Sequence, residues 1–251
     1  MRKRSEQRKQ KALMKKKQRE KLRKKKSKFL TFATVVGRIQ QARAYPIHEC
    51  LINRNWEEDG LAYIMLSRKQ PDGRILFGAY LVDVRCLGLK DTFYEANLEL
   101  SDYDEVRDMP TARSQEEGEV FVNCPIELIH QIIYGAIDYA SSLGFEPHQD
   151  FKVSKHILEA ESKYPKEAIE LEFGLNGKPC YFPGTHDDAD RIIKQLETKV
   201  GAGNFDFILP GEEITFSLPE YEELPEEPGR SPIRRIKGWF AEKLKRRQSL
   251  K

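Results

Sequence analysis

The stretch Leu61 to Leu87, LAYIMLSRKQPDGRILFGAYLVDVRCL, decides the fold. Residues 61–68 and 74–87 are rich in aliphatic, aromatic and β-branched side chains, and Pro71-Asp72-Gly73 between them has the chemistry of a tight turn. Two β-rich runs joined by such a turn predict a hairpin. The second run is long for one strand, and Gly78 inside it predicts a bulge or bend. Strict alternation puts Tyr80, Val82 and Val84 on one face. It puts Leu81, Asp83 and Arg85 on the other, a half-solvated face where Asp83 can pair with Arg85.

Upstream of the hairpin, Phe32, Val35, Val36, Ile39 and Ala42 recur at helical spacing until Tyr45-Pro46 stops the pattern, which predicts a helix over about 29–44. Downstream, residues 90–108 mix aromatics with acids and read as a loop holding one short helix. Cys124-Pro125 then opens the clearest helix of the chain. Asn123 is the predicted N-cap, Ile126, Ile129, Ile132, Ile133, Ala136, Ile137 and Ala140 step at three to four residues, and Leu143-Gly144 ends it. Apolar residues cover more than half its circumference, so it belongs at the centre. Ile169–Phe173 and Lys178–Phe182 flank Asn176-Gly177 as a second hairpin. A capped helix over 187–200 and a last strand over 204–209 complete a β-β-α-β second half. The expected architecture is α+β. One compact domain over 29–209 carries two β-hairpins, a central buried helix and the C-terminal β-β-α-β unit between basic flexible ends.

Charge divides the chain differently from its total of +3. Residues 1–28 hold 16 Lys/Arg and 2 Glu, residues 230–251 hold 9 Lys/Arg and one Glu, and the intervening body carries a net −19. The 1–28 segment has no apolar stripe that could face a core and reads as a solvated, disordered or helical arm. Residues 210–232, acidic and with five prolines, read as a tether. Residues 233–251 form a basic amphipathic helix and tail, with Ile233, Ile236, Phe240 and Leu244 on one face and Trp239 beside them. The body, with most of the 13 Phe and 10 Tyr, has the apolar content a core needs.

No run of about 18 apolar residues occurs, so no transmembrane helix is expected. The apolar run 29–36 before Ala42-Arg43-Ala44 is too short, and its basic leader too long, for a secretory signal. Cys50, Cys86, Cys124 and Cys180 form no C-x-x-C pair and read as reduced, mostly buried thiols. A cytoplasmic location follows as the expectation.

Lys15, Lys16, Lys17, Arg23, Lys24, Lys25 and Lys26 are the candidate contacts to phosphates, since each neutralised phosphate releases counterions. No aromatics interleave them, so base stacking from the arm is not expected. A fold-back of this arm onto the acidic body is the competing reading. Ile236, Trp239 and Phe240 are candidate anchors for a protein or ribonucleoprotein partner, with membrane attachment and packing back onto the body as the other uses of the same stripe.

Three groups of ionisable residues are candidates for catalysis. Asp83, Asp91 and Asp150, with Glu95 nearby, could supply a Mg²⁺-dependent phosphodiester site. His148-Gln149-Asp150 with His156 could supply an acid/base pair. Thr185-His186-Asp187-Asp188-Ala189-Asp190 gathers a histidine and three acids, yet Thr185 as N-cap with acids in the first turn accounts for it without a metal. No metal site and no cofactor are predicted. No Gly-rich phosphate loop or nucleophile signature is present either.

The expected function is a non-catalytic nucleic-acid- or ribonucleoprotein-associated accessory protein. It binds RNA through its basic termini and offers the acidic body to a protein partner. The alternative is a metal-dependent hydrolase or nuclease using the acids of the body, and enzymatic activity is left open, leaning against.

Overall fold

The computed structural model describes residues 14, 17, 19–21, 34–114, 120–164, 169–184, 187–207, 235, 236 and 238–240, with the backbone alone over 109–114. Residues 34–40 are helical and run into a short 3₁₀ turn, Ala42–Ala44. The strands that follow are β1 (Ile47–Asn53), β2 (Leu61–Lys69), β3 (Ile75–Asp83), β4 (Gly88–Leu98) and β5 (Phe121–Asn123), paired antiparallel in the order β4-β3-β2-β1-β5. The helices are α1 (Trp56–Asp59), α2 (Leu100–Ser114), α3 (Ile126–Ser142), α4 (Phe151–Ser154) and α5 (Ala189–Val200). A two-stranded parallel ladder joins β6 (Cys180–Tyr181) to β7 (Asp206–Phe207), with α5 as the crossover. The architecture is α+β in a single compact body.

The predicted hairpin is β2–β3, in unbroken register from Leu61 opposite Asp83 to Lys69 opposite Ile75. Its turn closes through the Gln70 N–H to Arg74 carbonyl bond of 2.8 Å, and Gly73 supplies a φ of +84°. The second strand stops at Asp83, four residues before its expected end. Residues 84–87 are a turn, and Gly88 at φ +65° brings β4 back. Gly78 marks no bulge: it stays in register between Leu66 and Tyr94, while the irregularities against β4 fall at Ile75/Phe77 and Leu81/Val82.

All nine residues of β3 are buried, so the expected half-solvated face does not exist. On one face Ile64, Leu66, Leu76, Tyr80 and Val82 pack with Ile129, Ile132, Ile133 and Ala136 of α3, with Ile39 and Ala42 at its margin. On the other, Leu51, Met65, Ile75, Phe77 and Ala79 pack with Tyr103 and Val106 of α2 and with Ile236 and Phe240. Even- and odd-numbered residues of β3 therefore serve two different cores, and apolar residues are required on both sides.

Several other expectations shift. The region read as a loop at 90–108 is β4 followed by α2. Its acids disguised it, yet Glu95 is buried with its Oε1 accepting the Ala96 N–H, and Thr92 donates to the Ala79 carbonyl at 3.0 Å. The central helix is present as α3, but its N-cap is Pro125, two residues after Asn123. The second hairpin reduces to a turn: Asn176 and Gly177 take φ of 52° and 74°, but only the bridge Leu175–Lys178 forms. Cys180 and Tyr181 instead pair with β7, and Cys86, Leu143, Tyr181, Leu196 and Phe205 make a small third core there. The helix expected over 187–200 begins at Ala189 and is capped by Asp188, whose Oδ1 accepts the Arg191 N–H at 3.2 Å. Thr185 and His186 lie outside the described residues, as does the 210–232 tether.

Candidate functional site

The predicted acids take structural partners rather than converging on one point. Asp83 is buried at the end of β3, where its Oδ1 accepts the Arg85 and Cys86 N–H groups at 2.9 and 3.0 Å and so holds the β3–β4 turn. Burial raises its carboxyl pKa, opposed by the nearby Lys90 and by these backbone bonds. The pairing with the Arg85 side chain is not formed. That guanidinium donates to the Glu58 carbonyl at 2.6 Å and lies 5.2 Å from the centre of the Phe182 ring. Lys90 bridges instead to Asp187 at 2.7 Å, and Asp187 also accepts the Gly184 N–H.

Asp91 and Asp150 do meet, through His148. The backbone N–H of His148 donates to the Leu89 carbonyl, which fastens the loop after α3 to β4. Its Nδ1 accepts the Asp150 N–H at 3.4 Å, and its Nε2 stands 3.8 Å from Asp91 Oδ1. The acid facing the imidazole is thus Asp91 of β4, and Asp150 contributes its backbone. His156 is in a different field, where burial, Arg43 and Lys155 lower its pKa. Among the described residues, no group of three or more His, Cys, Asp or Glu is placed to hold a metal ion.

Of the predicted phosphate contacts, Lys17 is described, helical and exposed; Lys15, Lys16, Arg23, Lys24, Lys25 and Lys26 lie outside the described residues. The predicted partner anchors turn inward. Ile236 and Phe240 are fully buried against the sheet, and Trp239 is half-buried beside Phe93. Arg235 adds a 3.4 Å contact to Glu95 and sits 5.4 Å above the Phe93 ring. Of the apolar stripe, Ile236 and Phe240 cover the second sheet face, and Ile233 and Leu244 lie outside the described residues. Of the three anchors only Trp239 keeps solvent exposure, and its buried indole N–H has no hydrogen-bond partner among the described residues.

A cleft that the sequence did not announce lies along α3. His130, Gln131, Tyr134, Gly135 and Asp138 form one wall, and Glu161, Tyr164, Ile169, Leu171 and Phe173 the other, of a small hollow of about 80 Å³ that opens to solvent. Lacking a side chain, Gly135 lets the Phe173 ring lie against the helix. His130 is buried, contacts the Tyr134 and Tyr164 rings at 4.5 and 5.0 Å, and places Nε2 3.0 Å from the Ala160 carbonyl. Its pKa is lowered, first by burial, and because a carbonyl only accepts, Nε2–H is the donor in that contact.

Behind the cleft, Arg68 anchors the loop that forms its far wall. This fully buried guanidinium donates to the Ile157 carbonyl (2.7 Å), the Tyr45 carbonyl (2.8 Å) and Glu159 Oε1 (2.7 Å). Its bond to Glu159 is the main reason that carboxyl is held below the ordinary glutamate range. Aromatic walls with a carboxylate at the rim suit a cationic side chain, because ring faces and acids attract the same charge. A histidine in an apolar helix and an arginine in an apolar strand were visible signals for this site. The loop that holds their partners, Glu159 for Arg68 at 91 residues' separation and the Ala160 carbonyl for His130, was not. No protein-family model matches the chain, and comparison with curated proteins and with solved structures finds no match either.

Proposed function

We propose that this chain is a non-catalytic accessory protein of nucleic acid or ribonucleoprotein, reaching RNA through its basic N-terminal arm and a protein partner through its acidic body. The observation that carries this reading is the segregation of charge: 16 Lys/Arg in residues 1–28 against a body of net −19. A polyanion is attracted to the first and repelled by the second, so the two surfaces suit different partners. The cleft along α3 gives the body a feature adapted to a basic protein side chain, with Tyr134, Tyr164 and Phe173 as its aromatic surface and Glu161 at its rim.

The alternative of a metal-dependent hydrolase has less support. Asp83 uses a carboxylate oxygen on two backbone amides, and Asp91 faces a histidine at 3.8 Å. The deciding experiment is fluorescence anisotropy with a labelled single-stranded RNA over a salt series, on the full chain and on a variant lacking residues 1–28. Binding that falls steeply with salt and drops at least tenfold on deletion supports the proposal. Unchanged binding, or RNA cleavage that depends on Mg²⁺, overturns it.

A further inference from the structure

Two of the four cysteines face each other. The antiparallel pairing of β1 with β5 sets Leu51 opposite Asn123, Ile52 opposite Val122 and Asn53 opposite Phe121. One step further along the same register, Cys50 stands opposite Cys124, and the Cys124 N–H donates to the Cys50 carbonyl at 3.0 Å. Their sulfurs are 3.5 Å apart, in thiol–thiol hydrogen-bond contact. Directly opposed residues at a hydrogen-bonded antiparallel position have Cα atoms about 5.5 Å apart, inside the span a disulfide bridges. Closing the bond therefore asks for side-chain rotation and little movement of the backbone.

We propose that Cys50 and Cys124 form a dithiol–disulfide site, oxidised by small-molecule disulfides, that staples edge strand β5 and the start of α3 to β1. The site goes beyond the binding role above and does not depend on it.

The two thiols are unequal in the way exchange chemistry requires. Cys50 is buried and Cys124 half-buried, so an incoming disulfide meets Cys124 first. Cys124 immediately precedes Pro125, the N-cap of the seventeen-residue α3, where the helix dipole favours a thiolate. The hydrogen bond between the sulfurs lowers the Cys124 pKa, opposed by burial, and raises that of Cys50. Glu127, in the first turn of α3, also acts to raise Cys50. Cys124 is thus the attacking sulfur and Cys50 the resolving one.

The reaction balances without a further reagent. The Cys124 thiolate attacks one sulfur of RSSR, the S–S bond breaks, and RS⁻ leaves and takes up a proton. Cys50 gives its proton to solvent, and its sulfur attacks Cys124 Sγ, forming the Cys50–Cys124 bond and expelling the second RS⁻. The protein loses two electrons and two protons, and RSSR becomes two RSH.

Cys86 and Cys180, both buried, provide the internal control. The full chain is equilibrated with oxidised and reduced glutathione at a series of ratios, quenched by alkylation and mapped by peptide mass spectrometry. The expected result is loss of two hydrogens, a cross-linked peptide joining Cys50 to Cys124, and a rise in melting temperature of roughly 5 °C or more that dithiothreitol reverses. In Cys50→Ser the expected product is a stable glutathione adduct on Cys124 with no such rise. A wild-type chain that stays fully reduced, that stops at the Cys124 adduct, or that links Cys86 to Cys180 instead overturns the proposal, and none of these outcomes depends on a variant folding.

Discussion

Arg68 of β2 and Glu159 of the loop after α4 are joined by a 2.7 Å ion pair in which the arginine side chain is 2% exposed and the glutamate 20%. The same guanidinium ties the carbonyls of Tyr45 and Ile157, so one side chain connects the entry to β1, the sheet and the loop behind the α3 cleft. Arg68→Met fills the volume but leaves two carbonyls and a carboxylate without their donor. Urea unfolding of this variant is expected to show a loss of about 3–5 kcal/mol, because breaking a buried pair strands its partner. Arg68→Lys, a single point donor in place of a planar fork, is expected to recover only part of that.

Acid should weaken the fold in two steps. The folded pKa of His130 lies below its ordinary value of 6.5, so below that pH the unfolded chain binds the proton more readily. The contribution of His130 is therefore complete above pH 6.5 and declines as pH falls through the window beneath it. Glu159 is likewise depressed below 4.5, so its contribution is present above that pH and is lost as pH falls through its lower folded value. Melting temperature against pH checks this: His130→Gln should flatten the first decline and Glu159→Gln the second.

The helical residues 235, 236 and 238–240 are held by apolar burial more than by charge. Phe240 is buried 6.4 Å from the Phe77 ring, whereas the Arg235 side chain is 55% exposed at its contact with Glu95. Phe240→Ala is expected to cost about 3 kcal/mol and Arg235→Ala less than about 1 kcal/mol in chemical denaturation. Equal losses would show that the ion pair, not the ring, holds the segment.

Gly78 is required by packing. A Cβ added there would come 2.8 Å from the Tyr80 hydroxyl and 2.9 Å from Ile157 Cδ1. That hydroxyl donates to the Ser154 carbonyl at 2.9 Å, so it cannot retreat freely. Gly78→Ala should destabilise by about 1–3 kcal/mol through overpacking, read as a shifted urea midpoint with an unchanged slope.

Part of the fold is encoded in short windows of the chain. The Pro71-Asp72-Gly73 turn, the β2 run and the 3.6-residue period of α3 are decided by neighbours in the chain and appear where the sequence put them, while β3 starts as expected but ends four residues early. β4 was lost to its own acids. Lys90, Asp91 and Glu95 resemble loop residues until Asp187, His148 and Arg235 arrive from 57 to 140 residues away. For the same reason Asp83 suggested a metal ligand while its carboxylate was serving the next turn.

The sequence by itself determined an α+β body with separated charges, because composition, turn chemistry and periodicity are properties of short windows. Only the tertiary structure decided that Ile236 and Phe240 cover the sheet, that Arg68 meets Glu159, and that Cys50 faces Cys124 across 74 residues. The reason is physical. Burial on both faces of β3 removes the polar alternation that would mark which side is covered, and an antiparallel register brings side chains together by strand pairing, not by distance along the chain.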